Sequence, residues 1–428
     1  MNKSALAVVA LVLFCLILCS CGGGSAVSNV TSPLVPTPSS QVPRSPINHL
    51  LVVTMQNASF DHLFGTYPGA NGLDPTAPSY QQVDQAGKTV KPFLLTDMNP
   101  PGINHTATSY QIAYDSGKMD KYAWENGDVS MGYYDNTSVG TAADGKQVGI
   151  SVLWNYAQQY ALSDNFYASA MAGEPSNMLY MASADVGTGS DPYGYPQLDA
   201  CTAGLYQQNK NIGATITSPL TFQNVGDQLA ADNISWAWSQ EYFANQQNGT
   251  CLHYVPQEDP FQYFQSTANS ANVQNFTMAG FNAQLSVGTL PAVMFVQPSP
   301  GHSMHPGSGN VADGIQWLDN FVQAVKNSSA WASTAIIVLW DESGGWYDHV
   351  APPQLSGTLG LGARIPVLVI SPFAKTNYIS HKQMDLVSIL RFIQWNWALG
   401  QFTNAKQAAR ENQSGDLCDL LTTTCGSP

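Results

Sequence analysis

The run of residues 335–340 constrains the fold more than any other stretch of this chain. It is continuously apolar, contains two isoleucines and a valine, and is followed at once by the adjacent acids Asp341 and Glu342. A short apolar run of this kind is typical of a strand that is buried on both faces, as in parallel sheets. Ligands bind beyond the carboxyl ends of such strands. The pattern therefore predicts an α/β protein with a site beside the two acids.

The two acids indicate a bound cation. Neighbouring carboxylates repel each other unless a cation or hydrogen-bond donors compensate their charge. A hard divalent cation with oxygen ligands is the simplest compensation, and such ligands favour Ca²⁺, Mg²⁺ or Mn²⁺ over Zn²⁺. The alternative is a solvated turn at the strand end, which Ser343-Gly344-Gly345 would form equally well.

Strand and helix patterns alternate along the rest of the chain. Apolar runs at residues 49–55, 292–297 and 364–371 predict further buried strands. Helical spacing predicts helices over residues 311–326 and 384–399. The alternation indicates a mostly parallel sheet covered by helices. Less regular patterns predict helices over residues 152–162 and 221–231 and a strand over 234–238. Polar groups follow three of the strands, namely Gln56 and Asn57, His302 and His305, and Asp341 and Glu342.

The N-terminus has the pattern of an export signal. Lys3 precedes an apolar stretch, residues 5–19, that is short for a membrane span. The sequence Leu18-Cys19-Ser20-Cys21 resembles a bacterial lipobox with Cys21 as the lipidated residue. The pattern predicts that the protein is exported and lipid-anchored to a bacterial membrane, in the cell envelope or periplasm. The alternative is an ordinary cleaved signal peptide.

The signal pattern also sets the domain boundaries. Residues 1–21 are predicted to be the lipoprotein signal peptide, and residues 22–46, which are rich in Gly, Ser and Pro, a flexible tether. Residues 47–428 are predicted to form a single domain, with a loop-rich insertion at about 66–150 that has the character of a lid. The net charge of −14, with 15 Lys and Arg residues and no basic run, argues against nucleic acid as a partner.

Four cysteines lie after the predicted signal. An even number in an exported protein favours disulfides, and proximity suggests the pairs Cys418–Cys425 and Cys201–Cys251. Because no C-x-x-C spacing is present, a zinc–thiolate site is not expected.

Several motifs, in order, resemble the bacterial phosphoesterase family that includes acid phosphatases and phospholipases C. They are NHLLVVTMQNASFDHLFGTYPGANG, LSDNFYASAMAGEPSN, SMHP followed by ADG, LWDESGGWYDHVAPP and RIPVLVISPFAK, spread over about residues 48–395. The resemblance implies an alkaline-phosphatase-like three-layer α/β/α sandwich and a serine or threonine nucleophile beside a metal ion. It implies metal ligands at Asn57, Asp341 and Glu342, and places His105, His305 and His349 near the phosphoryl group.

Two positions depart from the family pattern. Gln56 stands where the family usually has a glutamate, so a neutral amide replaces a carboxylate ligand. The nucleophile of the family lies three residues before the asparagine that matches Asn177, and Glu174 occupies that position. Ser176 is the nearest hydroxyl and is the predicted nucleophile, at a helix N-terminus suited to phosphate. Alternatively, Glu174 is itself phosphorylated, or it supplies the metal charge lost at Gln56.

These features predict a metal-dependent hydrolase of phosphate esters, either a phospholipase C-like phosphodiesterase or an acid phosphatase, anchored as a lipoprotein. Its expected partners are a phosphate ester or phospholipid substrate and the membrane that holds Cys21. The departures at Gln56 and Glu174 leave an alternative, in which a degenerate family member binds a ligand at the cell surface without turnover.

Overall fold

The computed structural model describes residues 42–187, 219–244, 253–268, 270–355 and 360–426. The predicted signal peptide, most of the predicted tether, and Cys201 and Cys251 lie outside the described residues. Among the helices that are described, none is both long enough and apolar enough to cross a membrane. Cys418 and Cys425 form a disulfide, which confirms that predicted pair.

An eight-stranded sheet forms the centre of the domain. In chain order its strands are β1 (His49–Met55), β2 (Ala161–Ser163), β3 (Trp236–Glu241), β4 (Val273–Phe276), β5 (Val293–Gln297), β6 (Thr334–Trp340), β7 (Val367–Ile370) and β8 (Tyr378–Ser380). In space they run β4-β3-β5-β1-β6-β7-β2-β8. All neighbours are parallel except that β7 runs antiparallel to both β6 and β2. The sheet is therefore mostly parallel, as predicted.

The two central strands β1 and β6 bring the polar strand ends together. They pair in parallel register from His49 opposite Thr334 to Met55 opposite Trp340. Because both strands stop at the same level, the residues after Met55 and those after Trp340 leave the sheet side by side. β6 is buried along its whole length and β1 from its second residue onward, which the continuous apolar runs require.

The helices pack in two groups. Those with fully described bounds are α1 (Phe60–Phe64), α2 (Ala107–Tyr114), α3 (Tyr122–Asn126), α4 (Ser151–Gln159), α5 (Glu174–Ser183), α6 (Val225–Ala231), α7 (Met278–Val287), α8 (Val311–Lys326), α9 (Leu386–Asn396) and α10 (Ala405–Glu411). α5 packs with α6 and α9, and α9 also with α10, whereas α8 packs with α4 and α7. Flanking helices around a sheet whose central strands are buried confirm the α/β sandwich.

Several elements differ from the sequence prediction in their boundaries or direction, among them the helix predicted over 221–231, which begins at Val225. The helix predicted over 152–162 ends at Gln159, because residues 161–163 pair with β7 and β8 as a strand. The strand at 367–370 is antiparallel, and hydrophobicity alone does not encode that direction. The last predicted helix begins at Leu386, where Asp385 and Ser388 form a capping box, and α10 follows it. β3 extends to Glu241, three residues beyond its predicted end.

The insertion at 66–150 is more ordered than its composition predicted. It contains α2, α3 and short strand pairs, and it has a small core of its own. Three strand pairs involve it, namely Gln82–Val83 with Thr89–Val90, Phe93–Leu94 with Gly132–Tyr133, and Val139–Thr141 with Gln147–Gly149. Its core includes Tyr122 and Met131 together with Tyr347, which comes from the loop after β6. The insertion is thus packed against the segment that follows the two strand-end acids.

Candidate active site

Asp341 and Glu342 are buried at the carboxyl end of β6, each 1% exposed. The backbone N–H of Glu342 donates to Asp341 Oδ1 at 2.8 Å, and that of Gly344 donates to Glu342 Oε2 at 2.6 Å. Gly344 has a φ of +65°, and a Cβ there would lie 2.6 Å from the Cβ of Asn57. Only glycine permits this turn, which aims a backbone donor at the carboxylate of Glu342.

The residues after β1 supply amide groups to these acids. Asn57 Nδ2 donates to Glu342 Oε1. Gln56 Nε2 lies 3.4 Å from Asp341 Oδ2 and 2.8 Å from an oxygen of a third acid, Glu258. Gln56 Oε1 accepts a hydrogen bond from Ser303, so Gln56 presents its nitrogen to the acids. Asn57 Oδ1, in contrast, is buried and has no hydrogen-bond partner among the described residues.

Glu174 and His105 complete the cluster. One ligand atom each from Glu174, His105 and Glu342 lie within 4.8 Å of one another. Glu174 is the first residue of α5, which begins after Gly173. Glu174 and His105 are partly exposed whereas Glu342 is buried, so solvent reaches the cluster from their side. We call Asp341, Glu342, Glu174, His105 and Asn57 the strand-end site.

The remaining predicted residues of this region are His305 and Ser176. The rings of His105 and His305 pack edge to face with centroids 5.6 Å apart. Nδ1 of His105 lies 2.7 Å from the carbonyl of Ile103, and Nδ1 of His305 lies 2.9 Å from that of Pro306. These contacts place a proton on each Nδ1. Ser176 is 0% exposed, and its Oγ has no partner among the described residues.

Burial and mutual charge shift the pKa values in the strand-end site. Burial raises the pKa of Asp341 well above its usual range, and the charge of Glu174 adds to that shift. Burial also raises the pKa of Glu342 to about 7. Burial lowers the pKa of His105, but the charges of Glu342 and Glu174 outweigh it and the net shift is upward. The pKa of His305 is lowered by burial and by His105. The site thus holds two imidazoles with opposite shifts.

The donor set fits a divalent cation. Asp341, Glu342 and Glu174 offer carboxylate oxygens, Asn57 an unpartnered amide oxygen, and His105 an imidazole. Hard divalent cations bind such oxygens. Throughout the described part of the chain, the ion pairs of Lys and Arg involve other acids. The strand-end carboxylates therefore have no cationic Lys or Arg partner there.

His349 lies in a different cluster, which we call the Arg364 network. Its Nδ1 is 2.7 Å from Asp61 Oδ2. Arg364 donates through Nη2 to Asp61 Oδ1 at 3.1 Å and through Nε to Asp348 Oδ1 at 2.9 Å. Arg364 also donates through Nη1 to the carbonyls of two loops and is 0% exposed. The resemblance placed His349 near the phosphoryl group, whereas in the structure its ring is paired with Asp61.

Sequence reasoning missed two further acids near the site. Glu241 ends β3 and binds His302 Nδ1 at 2.8 Å and Trp317 Nε1 at 3.1 Å, thereby anchoring the loop that carries His305. The sequence did not mark Glu241, because the strand was predicted to end at Trp238 and the polar residues Ser239 and Gln240 come between. Glu258 lies in the 3₁₀ turn Pro256–Glu258, where no local pattern marks it.

Comparison with known proteins agrees with the motifs. Residues 47–400 match the Phosphoesterase family. The non-hemolytic phospholipase C of Pseudomonas aeruginosa is 25% identical over 395 residues, which cover 81% of this chain and 53% of that protein. Phospholipase C A of Mycobacterium tuberculosis is 25% identical over 398 residues, which cover 81% of this chain and 72% of that protein.

The chain therefore spans only about half the length of the Pseudomonas protein. Among solved structures it is similar to a protein in the alkaline phosphatase superfamily from Vibrio parahaemolyticus, with 11% identity, a TM-score of 0.37, and coverage of 82% of this chain and 77% of that one. The family match extends over most of the sequence, as the motifs predicted. The chain belongs to the phosphoesterase family.

Proposed function

We propose that this protein hydrolyses phosphate esters with the help of a divalent cation. The observation that carries the proposal is the strand-end site, where three carboxylates and an imidazole meet at the carboxyl edge of the sheet. Two curated relatives are named phospholipase C, which supports a phospholipid phosphodiester as the substrate class. A phosphomonoester is the second substrate class that the same chemistry accepts.

Asp341 and Glu342 are the proposed principal ligands of the cation, and Asn57 adds its amide oxygen. Glu174 lies within reach of the same position, and His105 lies beside it. When bound, a divalent cation would neutralise the carboxylates and hold a phosphate oxygen. The buried carboxylates and the backbone donors that fix them would keep this position rigid, which is what phosphoryl transfer requires of a protein.

In this proposal, the two histidines have different roles in proton transfer. His105 has a raised pKa, which favours its protonated form, and in this proposal it donates that proton to the leaving-group oxygen. His305 has a lowered pKa, so it stays neutral beside His105 and avoids repelling it. The backbone carbonyls at Nδ1 hold both rings with Nε2 as the working nitrogen.

We infer that Glu174, and not Ser176, is the residue of α5 that acts on the phosphate. The carboxylate of Glu174 lies with His105 and Glu342 and is partly exposed. The hydroxyl of Ser176 is fully buried within α5. Attack on phosphorus then falls to Glu174 itself, as a carboxylate nucleophile whose acyl phosphate water then hydrolyses, or to a water that Glu174 deprotonates.

The test is turnover of two chromogenic esters, p-nitrophenyl phosphate and p-nitrophenylphosphorylcholine, by purified protein. Each is measured after chelation and after addition of Mn²⁺, Mg²⁺ or Ca²⁺. We expect turnover that depends on the cation, faster with the diester if a phospholipid is the substrate. Absence of turnover on both esters with every cation would instead favour the ligand-binding lipoprotein.

We further propose that the protein is exported and anchored through Cys21. The supporting observation is the lipobox-like sequence Leu18-Cys19-Ser20-Cys21 after an apolar stretch. Expression of the full chain in a bacterium, followed by membrane fractionation, tests this proposal. Wild-type protein is expected in the membrane fraction and Cys21→Ser in the soluble fraction. A soluble wild-type protein would contradict the anchor.

A further inference from the structure

Glu258 stands out because a distant part of the chain brings it to the strand-end site. It comes from the 3₁₀ turn Pro256–Glu258 and is 3% exposed. Its Oε1 accepts from Gln56 Nε2 at 2.8 Å, and its Oε2 accepts from Gln240 Nε2 at 3.0 Å. Both partners are neutral amides. A buried carboxylate therefore lies directly beside the residue that follows β1, without a Lys or Arg partner among the described residues.

Glu258 is also close to the proposed cation ligands. The same Gln56 nitrogen lies 3.4 Å from Asp341 Oδ2, so one amide group stands between two carboxylates. Next to it, Asn57 is 2% exposed and directs Nδ2 at Glu342, while its Oδ1 has no partner among the described residues. An unpartnered buried oxygen beside several carboxylates indicates a missing cationic partner and not a missing donor alone.

Glu258 accepts through both of its carboxylate oxygens, from Gln56 and from Gln240. A glutamine at 258 would keep only one of these two acceptors, but it would avoid placing another negative charge near Asp341. Buried like charges are costly unless a cation compensates them. Burial raises the pKa of Glu258 well above its usual range, and a cation held by the strand-end site would compensate its ionised form.

We propose that Glu258 is a functional carboxylate of the cation site and supplies the negative charge that the strand-end amide Gln56 lacks. This inference rests on the proposed function, because it requires that Asp341 and Glu342 bind a divalent cation. Glu258 strengthens that binding from the side of β1, through its charge and through the orientation that Gln56 gives to Asp341.

The test is Mn²⁺ affinity, measured by isothermal titration calorimetry and by metal content after dialysis of the full chain. Glu258→Gln is expected to weaken Mn²⁺ binding by about 10- to 100-fold, the range for residues that support metal ligands. The exchanged variant, Gln56→Glu with Glu258→Gln, returns the carboxylate to the strand end and keeps an amide–carboxylate pair across the same contact. It is expected to recover affinity to within about threefold of wild type, because coupled neighbours compensate each other.

Asp259→Asn is the matched control. Asp259 is adjacent, fully buried, and bonded to Phe261 and Gln262, so it shares the turn but not the site. It is expected to leave Mn²⁺ affinity unchanged, and thermal unfolding verifies that every variant is folded. If Glu258→Gln does not fold, the exchanged variant decides alone, since a loss of affinity there contradicts the proposal.

The outcomes separate this inference from the proposed function. If wild-type protein binds Mn²⁺ and turns over ester while folded Glu258→Gln binds Mn²⁺ equally well, only the role of Glu258 is wrong. If wild-type protein binds no divalent cation, both the cation-dependent function and the role of Glu258 are wrong. Weak binding by Glu258→Gln together with recovery in the exchanged variant supports the inference.

Discussion

Two acidic regions lie just beyond the same pair of strands, and they differ in whether a basic side chain compensates their negative charge. The strand-end site begins directly after β1 and β6 and holds Asp341 and Glu342. The Arg364 network lies a few residues further along the same two segments and holds Asp61 and Asp348. In the network, Arg364 bridges both acids from a fully buried position, whereas the strand-end carboxylates have no Lys or Arg partner among the described residues.

We propose that this difference separates the structural acids from the functional ones. A buried ion pair that the protein completes by itself resists change, because removal of one partner leaves an unpaired buried charge. Carboxylates that lack a protein cation and have raised pKa values are typical of sites that act on a ligand. We therefore expect substitutions in the strand-end site to affect cation binding and turnover, and substitutions in the Arg364 network to affect stability.

The sharpest test of this comparison is the same substitution at two acids of one segment. Asp341→Asn should lower turnover by about 10³-fold or more and abolish Mn²⁺ uptake, because a principal ligand is lost. Its metal-free unfolding temperature should stay the same or rise, since a buried like charge is removed. Asp348→Asn should keep Mn²⁺ uptake and unfold at a lower temperature. Equal effects of the two variants on Mn²⁺ uptake would contradict the division.

A second test concerns the two candidate residues at the start of α5. Glu174→Gln should lower turnover by about 10²- to 10⁴-fold, because the substitution removes the carboxylate that faces the phosphate. Ser176→Ala should lower turnover by less than about tenfold. Both are measured with the p-nitrophenyl esters at saturating Mn²⁺. The reverse order would establish Ser176 as the nucleophile, as predicted from its place as the nearest hydroxyl in the turn.

A third test removes the buried guanidinium group of Arg364. Arg364→Met should destabilise the protein by about 3–5 kcal/mol, because Asp61 and Asp348 would lose the buried partner that they share. Chemical denaturation measures this change, and Mn²⁺ affinity of the folded variant should remain at the wild-type value. Lys146→Met is the control, since Lys146 pairs with Asp144 at the surface and should contribute less than about 1 kcal/mol.

The sequence was sufficient to predict the position of the strand-end acids, because the pattern that marks them lies within a few neighbouring residues. Continuous apolar runs predicted β1 and β6, and the polar residues that follow each run had to emerge at one edge if the strands were parallel neighbours. The structure confirms that pairing from His49 to Met55. The same logic failed at β3, where the predicted end fell short of Glu241, and at β7, whose antiparallel direction leaves no periodic signal in the sequence.

Arg364 and Glu258 could not be assigned from sequence, because their partners are distant in the chain. Arg364 meets Asp61 across about three hundred residues, and Glu258 meets Gln56 across about two hundred. Such contacts depend on strand order and loop path, which local propensity does not encode. A buried charge is informative only after the fold has shown whether a partner stands beside it.

A fourth test measures how the free energy of unfolding depends on pH, because the strand-end carboxylates have no Lys or Arg partner among the described residues. The pKa of Glu342 is raised from 4.5 to about 7 in the folded protein, so the folded state holds its proton more tightly than the unfolded state. The stability from this group is complete below about pH 4.5 and is lost as the pH rises to about 7, by roughly 3 kcal/mol. Metal-free protein should show this fall in the free energy of unfolding, and in Glu342→Gln the fall should be smaller by about this amount, because Asp341 also has a raised pKa. Saturating Mn²⁺ should remove it, because a cation stabilises the ionised carboxylate.

The smallest expected effect belongs to His349. Burial lowers the pKa of His349, but its hydrogen bond to Asp61 and the charge of Asp61 outweigh that effect, so the net shift is upward. The stabilising pairing is therefore complete below about pH 6.5 and is lost as the pH rises through the folded pKa. His349→Gln should cost about 1 kcal/mol at pH 6 and less at pH 8, since Arg364 and the backbone N–H of residue 349 still bind Asp61.

Turnover decides between a structural and a catalytic role for this histidine. If His349 serves only the Arg364 network, His349→Gln should turn over p-nitrophenylphosphorylcholine within about twofold of the wild-type rate, because the strand-end site keeps all its groups. His105→Gln provides the matched comparison and should lose about 10²-fold or more, as expected for a proton donor in the site. A loss of that size for His349→Gln would place its ring at the phosphoryl group, as the resemblance implied. The two regions would then form one active site, and Arg364 would be part of the machinery that binds the phosphate.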